Sequence, residues 1–209
     1  MDKKIISEAV IKRLPRYYRQ LKLLQEQGKD KVSSHMLAQM LDITASQVRQ
    51  DFCNFGGFGQ QGYGYDIAKL VEELSGILGL DRAYNLIVVG AGNIGHALAG
   101  YQGFAKYGFT VQAMFDVARF GEDINDVHIY PMDELANYVN NNRVDMAVIA
   151  TPKAVAQEVA DRLVELGIKT IWNFAPINLT VANDVAIENI SMSESLLVLS
   201  YRANNIHNN

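Results

Sequence analysis

A glycine-rich segment that follows a short aliphatic run constrains the fold more than any other feature of this chain. The run Leu86–Val89 has the composition of a fully buried strand. Gly90, Gly92 and Gly95 follow it at the spacing GxGxxG. The first glycine permits a tight turn, the second lets the backbone approach a pyrophosphate, and the third allows close packing of a helix on the strand. The spacing therefore predicts a phosphate-binding turn between a strand and a helix.

An acidic residue ends the next predicted strand, 110–116. Asp116 follows Gly95 by 21 residues, and a carboxylate at this place accepts hydrogen bonds from a ribose diol. It would repel a 2′-phosphate, so NAD(H) is favoured over NADP(H), although Arg119 could reach a phosphate and weakens that preference. A glycine turn without a ligand is the alternative, and the combination of strand, helix and acid disfavours it.

Strand and helix patterns alternate through the C-terminal part of the chain. Predicted strands lie at 127–129, 145–150 and 170–173, with an edge strand near 185–187, and predicted helices lie at 97–107, 132–140, 154–166 and 193–203. The alternation predicts a parallel sheet with right-handed crossovers. Thr151 and Pro152 follow the strand 145–150, at its carboxyl end, and ligands bind at the carboxyl ends of the strands in such sheets.

The N-terminal part has a different pattern. Helices are predicted at 7–27, at 35–41 after a capping Ser34, at 44–52 from a Thr-x-x-Gln capping box, and at 67–78. Pro15 either breaks the first of these helices or starts its second half. The segment 55–65 (FGGFGQQGYGY) is too rich in glycine for a helix and suits a tight hairpin. Short helices followed by a glycine-rich hairpin predict a winged helix-turn-helix.

The net charge of −4 hides an uneven distribution. Residues 1–50 carry ten Lys or Arg and five Asp or Glu, whereas residues 81–209 carry eight basic and fourteen acidic residues. Two halves of opposite sign suggest two modules with different partners, although an imbalance of this size also arises by chance. The single cysteine cannot form an intrachain disulfide, and the chain lacks an apolar run long enough for a membrane helix. We expect a cytoplasmic protein that binds no membrane and no metal.

Candidate acid–base groups are scarce, which favours binding over catalysis. His128 lies on a weak predicted strand, and Lys153 is more often a solvated surface residue than a catalytic one. No Tyr-x-x-x-Lys pair of a short-chain reductase follows the fourth strand. We therefore predict no catalytic residue and no enzymatic activity.

Several motifs in order along nearly the whole chain resemble the Rex family of redox-sensing transcriptional repressors. They are QVRQD (47–51), FGGFG (55–59), GYGYD (62–66), GAGNIG (90–95), YQGF (101–104), GIK (167–169) and NFAP (173–176). The resemblance implies a homodimer that binds inverted-repeat operator DNA when NADH is scarce and is released when NADH binds. It also implies that the C-terminal helix swaps into the partner subunit; packing of that helix on its own sheet is the alternative.

The resemblance and the motifs together give the candidate site residues. Those expected to contact NAD+ or NADH are Gly90, Ala91, Gly92, Asn93, Ile94, Gly95, Tyr101, Asp116, Val117, Arg119, Thr151, Pro152, Asn173, Phe174 and Pro176. Those expected to contact DNA are Ser46, Gln47, Arg49 and Gln50 in the major groove and Gly59, Gln60, Gln61 and Gly62 in the minor groove.

Three positions depart from the pattern that the family usually shows. Gln50 stands where a lysine is usual, Gln61 where a wing arginine is usual, and Ser191 where an aspartate of the redox switch is usual. Loss of two cations per subunit predicts weaker or redirected operator binding with a shallower salt dependence. The hydroxyl of Ser191 must then serve where the family has a carboxylate.

These observations combine into one prediction of architecture. The fold class is α/β, with a winged helix-turn-helix domain (1–80), a Rossmann-type NAD(P)-binding domain (81–190) and a C-terminal, domain-swapped helix with its tail (191–209). The function expected is that of an NADH-sensing repressor. The alternatives are a paralogue that binds NAD(H) with weakened or altered operator binding, and an NAD-dependent oxidoreductase with an added helical domain.

Overall fold

The chain divides between Arg82 and Ala83 into two units, each with its own apolar core. The computed structural model describes residues 6–55, 59–60 and 64–207. No helix among these residues combines the length and the apolar character that crossing a bilayer requires. Parallel-sheet topology in the second unit and short helices with a small sheet in the first confirm the predicted α/β class.

The N-terminal unit is mainly helical. Its helices are α1 (Glu8–Ile11), α2 (Leu14–Glu26), α3 (Ser34–Leu41), α4 (Ala45–Cys53) and α5 (Ile67–Leu78), and its strands are β1 (Lys31–Val32), β2 (Gly59–Gln60) and β3 (Gly64–Asp66). Buried residues spaced along α2, α4 and α5 form the core of this unit, with Tyr17, Phe52 and Leu70 among them. Helix α4 follows α3 after a short turn, as in a helix-turn-helix.

The predicted first helix is interrupted, and the Pro15 position explains the break. Helix α1 ends at Ile11 and α2 begins at Leu14, with Pro15 in its first turn. Proline has no backbone N–H to donate to the carbonyl of Ile11, so one continuous helix would leave that acceptor without its partner. The predicted helix therefore breaks before Pro15, and Pro15 lies in the first turn of its second half.

Side-chain caps fix where the later helices begin. The hydroxyl of Ser33, rather than that of Ser34, accepts the N–H of Met36 at 3.0 Å and caps α3. Thr44 Oγ1 accepts the N–H of Gln47 at 3.1 Å, which is the first half of the predicted capping box. The predicted cap Ser34 is wrong by one residue, because two consecutive serines offer the same capping chemistry.

A small antiparallel sheet follows the helix-turn-helix. Within the described residues its order is β1-β3-β2, and Gly59–Gln60 pair with Gly64 and Tyr65. The predicted hairpin is thus observed where its strands are described, while residues 56–58 and 61–63 lie outside the described part. Strand β1 is only two residues long, too short to leave a pattern in the sequence.

The C-terminal unit alternates strands and helices. Its strands are β4 (Tyr84–Val89), β5 (Phe109–Asp116), β6 (Asp123–Ile124), β7 (Val127–Pro131), β8 (Met146–Ile149), β9 (Thr170–Asn173) and β10 (Ala186–Asn189). Its α-helices are α6 (Asn93–Ala99), α7 (Leu135–Asn141), α8 (Lys153–Glu165) and α9 (Met192–His207), with short 3₁₀ helices at Gln102–Tyr107 and Met132–Glu134.

Sheet order places a ligand-binding crevice between β4 and β8. In the described chain the order is β10-β9-β8-β4-β5-β7-β6, parallel except where β6 pairs antiparallel with β7. The chain runs from β4 outward to β5 and β7, then returns to β8 on the other side of β4. Such a reversal opens a crevice beyond the carboxyl ends of the strands. The glycine turn and Thr151 both follow strands at this point.

The predicted helix 97–107 is wrong in its continuity. Helix α6 begins at Asn93 and ends at Ala99, and a separate 3₁₀ helix covers Gln102–Tyr107. Gly100 and Gly103 lower the helix propensity of this segment, and Tyr101 between them is extended, with φ −80° and ψ 97°. The apolar pattern alone does not show the break.

Both faces of the sheet are covered by helices. Ile87, Phe115 and Ile149 face one core with α7 and α8, whereas Val88 and Met114 face the opposite core, against which Leu98 of α6 packs. Strands buried on both faces account for their continuous apolar composition. The last helix, α9, is different, because all of its residues from Ser193 to Ile206 are exposed in the single chain.

Candidate functional site

The glycine turn after β4 has the geometry that a phosphate-binding loop requires. Gly90 has φ +106°, and a Cβ there would lie 2.5 Å from the carbonyl oxygen of Ala150. A Cβ on Gly95 would overlap the carbonyl of Gly90, so the third glycine allows α6 to pack on the turn. Gly92 is exposed, with no atom within 4 Å of where a Cβ would point. The open side of Gly92 leaves the backbone accessible to a ligand.

A cleft of about 790 Å³ lies over this turn, within the size range of pockets for small molecules and cofactors. Segments from the ends of β4, β5 and β8 and from α8 form its wall. The lining residues are Val89, Gly90, Ala91, Gly92, Asn93, Ile94, Phe115, Asp116, Val117, Ala118, Arg119, Met132, Ala150, Thr151, Pro152, Val155, Glu158, Val159 and Arg162. Most of the predicted cofactor residues are therefore brought together, while Gly95 lies beneath the turn.

Asp116 connects the glycine turn to the loop after β5. One carboxylate oxygen, Oδ2, accepts the N–H of Ala91 at 2.7 Å, and the other, Oδ1, accepts the N–H groups of Ala118 at 2.8 Å and Arg119 at 3.0 Å. Burial opposes ionisation, but these backbone donors outweigh it and lower the pKa of the Asp116 carboxyl. A carboxylate has about four acceptor positions, so Oδ2 keeps one for a ribose hydroxyl.

Thr151 supplies an unused polar group in the cleft wall. Its Oγ1 is buried, and the described part of the chain offers it no hydrogen-bond partner. Buried hydroxyls without partners are uncommon, and each calls for an explanation such as a bound ligand. Together with the open backbone at Gly92, this hydroxyl shows that the cleft fits a polar ligand that spans the glycine turn.

Besides Gly95, four predicted cofactor residues lie outside the cleft wall: Tyr101, Asn173, Phe174 and Pro176. Tyr101 belongs to a series of edge-on ring contacts through Phe104 and Trp172 to Phe174, with centroid separations of 4.8, 5.8 and 4.6 Å. Tyr101 and Pro176 are exposed. This aromatic series begins after α6 and ends after β9, on the side of the sheet that α6 covers.

Asn173 is fully buried and already engaged. Its Nδ2 donates to the carbonyl of Ile177 and to the side chain of Asn189, each at 2.8 Å, while its Oδ1 accepts the N–H of Ala175 at 2.9 Å. The side chain therefore holds the connection between β9 and β10. Its position explains why an asparagine ends β9 without requiring a contact with a ligand.

The cleft also contains residues that no sequence motif predicted. Met132 begins the 3₁₀ helix after β7, and Val155, Glu158, Val159 and Arg162 form one side of α8. The sequence contains part of the information needed to predict them. When a helix begins directly after a ligand-binding turn, residues three and four positions apart on that helix face the same cleft.

Helix α4, the second helix of the helix-turn-helix, is anchored by a buried carboxylate. Asp51 is fully buried and accepts hydrogen bonds from Arg13 Nε at 2.6 Å, Arg13 Nη2 at 2.8 Å and Tyr17 Oη at 2.8 Å. Gln47 Nε2 donates a further bond at 2.8 Å. Burial alone would raise the pKa of the Asp51 carboxyl, but these donors lower it. The same contact raises the pKa of the Arg13 guanidinium.

The predicted DNA-contacting residues of α4 divide into exposed and engaged side chains. Ser46, Arg49 and Gln50 are exposed, and Arg49 Nη1 donates to Ser34 Oγ at 3.2 Å. Gln47 is half-buried, and its amide nitrogen is committed to Asp51. In the predicted wing, Gly59 and Gln60 form β2, while Gln61 and Gly62 lie outside the described residues.

Comparison with known proteins gives a family match for each unit and a relative that covers both. Residues 81–177 match the family described as CoA binding domain, and residues 5–53 match the one described as putative DNA-binding protein N-terminus. The redox-sensing transcriptional repressor Rex of Caldanaerobacter subterraneus subsp. tengcongensis is 49% identical over 207 residues, which cover 98% of this chain and 92% of that protein.

Two solved structures of a Rex-family repressor are similar to this protein over 98% of its chain. RSP in complex with β-NAD+ and operator DNA superposes with a TM-score of 0.91 at 47% identity, covering 98% of this chain and 95% of that one. RSP in complex with β-NADH gives a TM-score of 0.89 at 44% identity, covering 98% and 97%. The resemblance seen in the sequence motifs is confirmed, and the chain belongs to the Rex family of redox-sensing transcriptional repressors.

Proposed function

We propose that this protein is a homodimeric repressor that binds double-stranded, inverted-repeat operator DNA and leaves it when NADH binds. The observation that carries the proposal is the union, in one chain, of a helix-turn-helix unit with a cleft built around GAGNIG and Asp116. RSP, with 47% and 44% identity in its two complexes, has been solved with β-NAD+ and operator DNA and with β-NADH. As a DNA-binding regulator the protein acts in the cytoplasm, and it is not an enzyme.

The cleft residues have distinct roles toward NAD+ and NADH. The backbone of Gly92, Asn93 and Ile94 faces the pyrophosphate at the start of α6, and Asp116 Oδ2 accepts a ribose hydroxyl. Thr151 Oγ1 provides a polar partner at the end of β8. The bound cofactor supplies the oxidation state that the protein reports.

The remaining candidate contacts belong to the same proposal. Gly90 and Gly95 shape the turn, and Ala91, Val117, Arg119 and Pro152 line the cleft beside it. Tyr101, Asn173, Phe174 and Pro176 are proposed for the nicotinamide end, where Asn173 acts by holding the β9–β10 connection. We assign the domains as 1–80, 81–190 and 191–209.

DNA binding is assigned to α4 and the wing. The exposed side chains of Ser46, Arg49 and Gln50 face the major groove, and Arg49 can read guanine with two hydrogen bonds. Gln47 contributes chiefly by holding Asp51, because its amide nitrogen is already engaged. We propose Gly59, Gln60, Gln61 and Gly62 of the wing as the residues that contact the minor groove.

The exposed helix α9 supports the dimer. Leu196, Leu197 and Leu199 are 66%, 68% and 59% exposed in the single chain. A run of apolar residues of this kind marks a surface that a partner covers. We assign that partner as a second copy, which receives the swapped α9.

The switch rests on a difference in affinity between two states of the dimer. NADH shifts the equilibrium only if the DNA-incompetent state holds it more tightly than the DNA-competent state. By reciprocity, operator DNA must lower the affinity for NADH by the same factor.

Fluorescence anisotropy of an inverted-repeat operator, at several salt concentrations and with NAD+ or NADH, tests the proposal. We expect saturable, sequence-dependent binding that NADH weakens and NAD+ does not. Absence of specific binding at low salt would exclude the repressor, and binding that ignores NADH would exclude the switch while leaving DNA binding in place.

A repressor with weakened or altered operator affinity is the second candidate, favoured by the exposed, uncharged Gln50. If cations at this surface set the affinity, the double variant Gln50→Lys, Gln61→Arg should bind the operator more tightly. The dimer would gain four charges, and the slope of log K against log salt would steepen by up to about 4. An unchanged slope would show that neither position lies at the DNA surface.

A further inference from the structure

One side of the cleft has chemistry suited to the base of the dinucleotide. Val117 is 80% exposed and Val155 is 41% exposed, and both line the cleft with Met132. Exposed aliphatic side chains in a cleft wall are suited to covering a flat, apolar group such as an aromatic base. Val117 directly follows Asp116 in the chain, Met132 packs against the core on the side of the sheet that α8 covers, and Val155 belongs to α8 itself.

The position of this apolar wall follows from the order of groups in a dinucleotide. With the pyrophosphate at Gly92 and the ribose at Asp116, the base attached to that ribose must lie beyond Asp116, away from the turn. The residues available there are those of the loop after β5, Met132 and the cleft-facing side of α8.

Helix α8 adds two charged residues of opposite sign to this wall. Glu158 and Arg162 are one helical turn apart, a spacing at which such side chains often pair. In the part of the chain that the structure describes, however, neither forms an ion pair or a hydrogen bond through its side chain. An acceptor and a donor therefore stand side by side without partners.

Adenine presents the complementary pattern. Its exocyclic amino group donates, and the ring nitrogens on either side of that group accept. Hypoxanthine carries a carbonyl oxygen in place of the amino group and a proton on the adjacent ring nitrogen N1, so its donor and acceptor are exchanged relative to adenine. In the same pose the carbonyl oxygen would face the carboxylate and the N1–H would face the guanidinium. A carboxylate beside a guanidinium can thus distinguish the two bases.

We propose that Glu158 and Arg162 select adenine in the bound dinucleotide, with Glu158 accepting from the amino group and Arg162 donating to a ring nitrogen. The inference rests on the proposed binding of NADH in this cleft. Glu158 is exposed, so water moderates its contribution, and we expect a preference of about fivefold to tenfold over hypoxanthine.

Calorimetric titration of the full chain with NADH and with reduced nicotinamide hypoxanthine dinucleotide tests this selection. The wild-type protein should prefer NADH by about fivefold to tenfold, and Glu158→Gln, whose amide can both donate and accept, should bring the ratio of the two dissociation constants close to one. Glu165→Gln is the matched control, since Glu165 is an exposed residue of α8 outside the cleft wall. It should leave the ratio unchanged.

The outcomes separate this inference from the proposal on which it depends. Equal affinity of the wild-type protein for both dinucleotides, or a preference that survives in Glu158→Gln, would overturn the role of Glu158 while NADH binding stands. If neither dinucleotide binds, the cleft assignment itself is overturned.

Discussion

Asp51 is a buried carboxylate in the N-terminal unit, and its hydrogen-bond donors keep it ionised by lowering its pKa. Arg13, Tyr17 and Gln47 all donate to it, so helix α4 is fastened to α2 through one carboxylate. Removing a partner from such a buried pair leaves a charge without compensation, which typically costs several kcal/mol.

We therefore expect Asp51→Asn to lower the stability of the full chain by about 3 kcal/mol, since Arg13 would lose its counter-ion. Thermal unfolding measured by calorimetry would show the transition of the N-terminal unit at a lower temperature. Asp30→Asn, at an exposed site, is the control and should change little. Equal transition temperatures for both variants would contradict the role given to Asp51.

The same residue predicts a dependence on pH. Its folded-state pKa is lowered, so its contribution to stability is fully present above the unfolded value of about 3.9. That contribution is lost as the pH falls through the folded-state pKa. Acid titration of wild type and Asp51→Asn should show their difference in stability shrinking below about pH 4; a difference that stays constant down to pH 2 would oppose this account.

At the scale of the elements, Gly92 and Gly95 in the glycine turn and α6 differ in the space available for a side chain. An alanine at position 92 meets open space, whereas one at position 95 would overlap the backbone of Gly90. Gly92→Ala should keep the wild-type unfolding temperature and lose at least about tenfold in NADH affinity, because a methyl group would block backbone approach to the pyrophosphate. Gly95→Ala should unfold at a lower temperature. Wild-type NADH affinity in Gly92→Ala would contradict the placement of the pyrophosphate.

Elements were predictable from the sequence where one pattern decided their structure. Buried strands such as β4 and the glycine turn after it follow from composition and spacing alone. The break between α6 and the 3₁₀ helix at Gln102–Tyr107 was not predictable in this way, because the apolar pattern continues through Gly100. The cleft residues of α8 were not predictable, because α8 follows β8, which is distant from β4 in the sequence. The order of strands in the sheet pairs β8 with β4 and so brings α8 to the cleft.

At the scale of the whole molecule, the exposed apolar residues of α9 are the evidence for a dimer. If a second copy covers its apolar residues, the double variant Leu197→Glu, Leu199→Glu should shift the protein toward monomer in sedimentation velocity at micromolar concentration. Asn205→Asp adds charge near the end of the same exposed helix and should leave the dimer intact. A wild-type protein that sediments as a monomer would exclude the dimer altogether.

Coupling between the two units is the central claim, and the most direct test uses the variant that changes only the cleft. Operator DNA bound to wild-type protein and to Gly92→Ala would be titrated with NADH while anisotropy is recorded. We predict that both proteins bind the operator equally well without NADH, and that Gly92→Ala requires at least about tenfold more NADH for release, in proportion to its loss of NADH affinity. Release of both proteins at the same NADH concentration would contradict the account, because the signal would then not pass through this cleft.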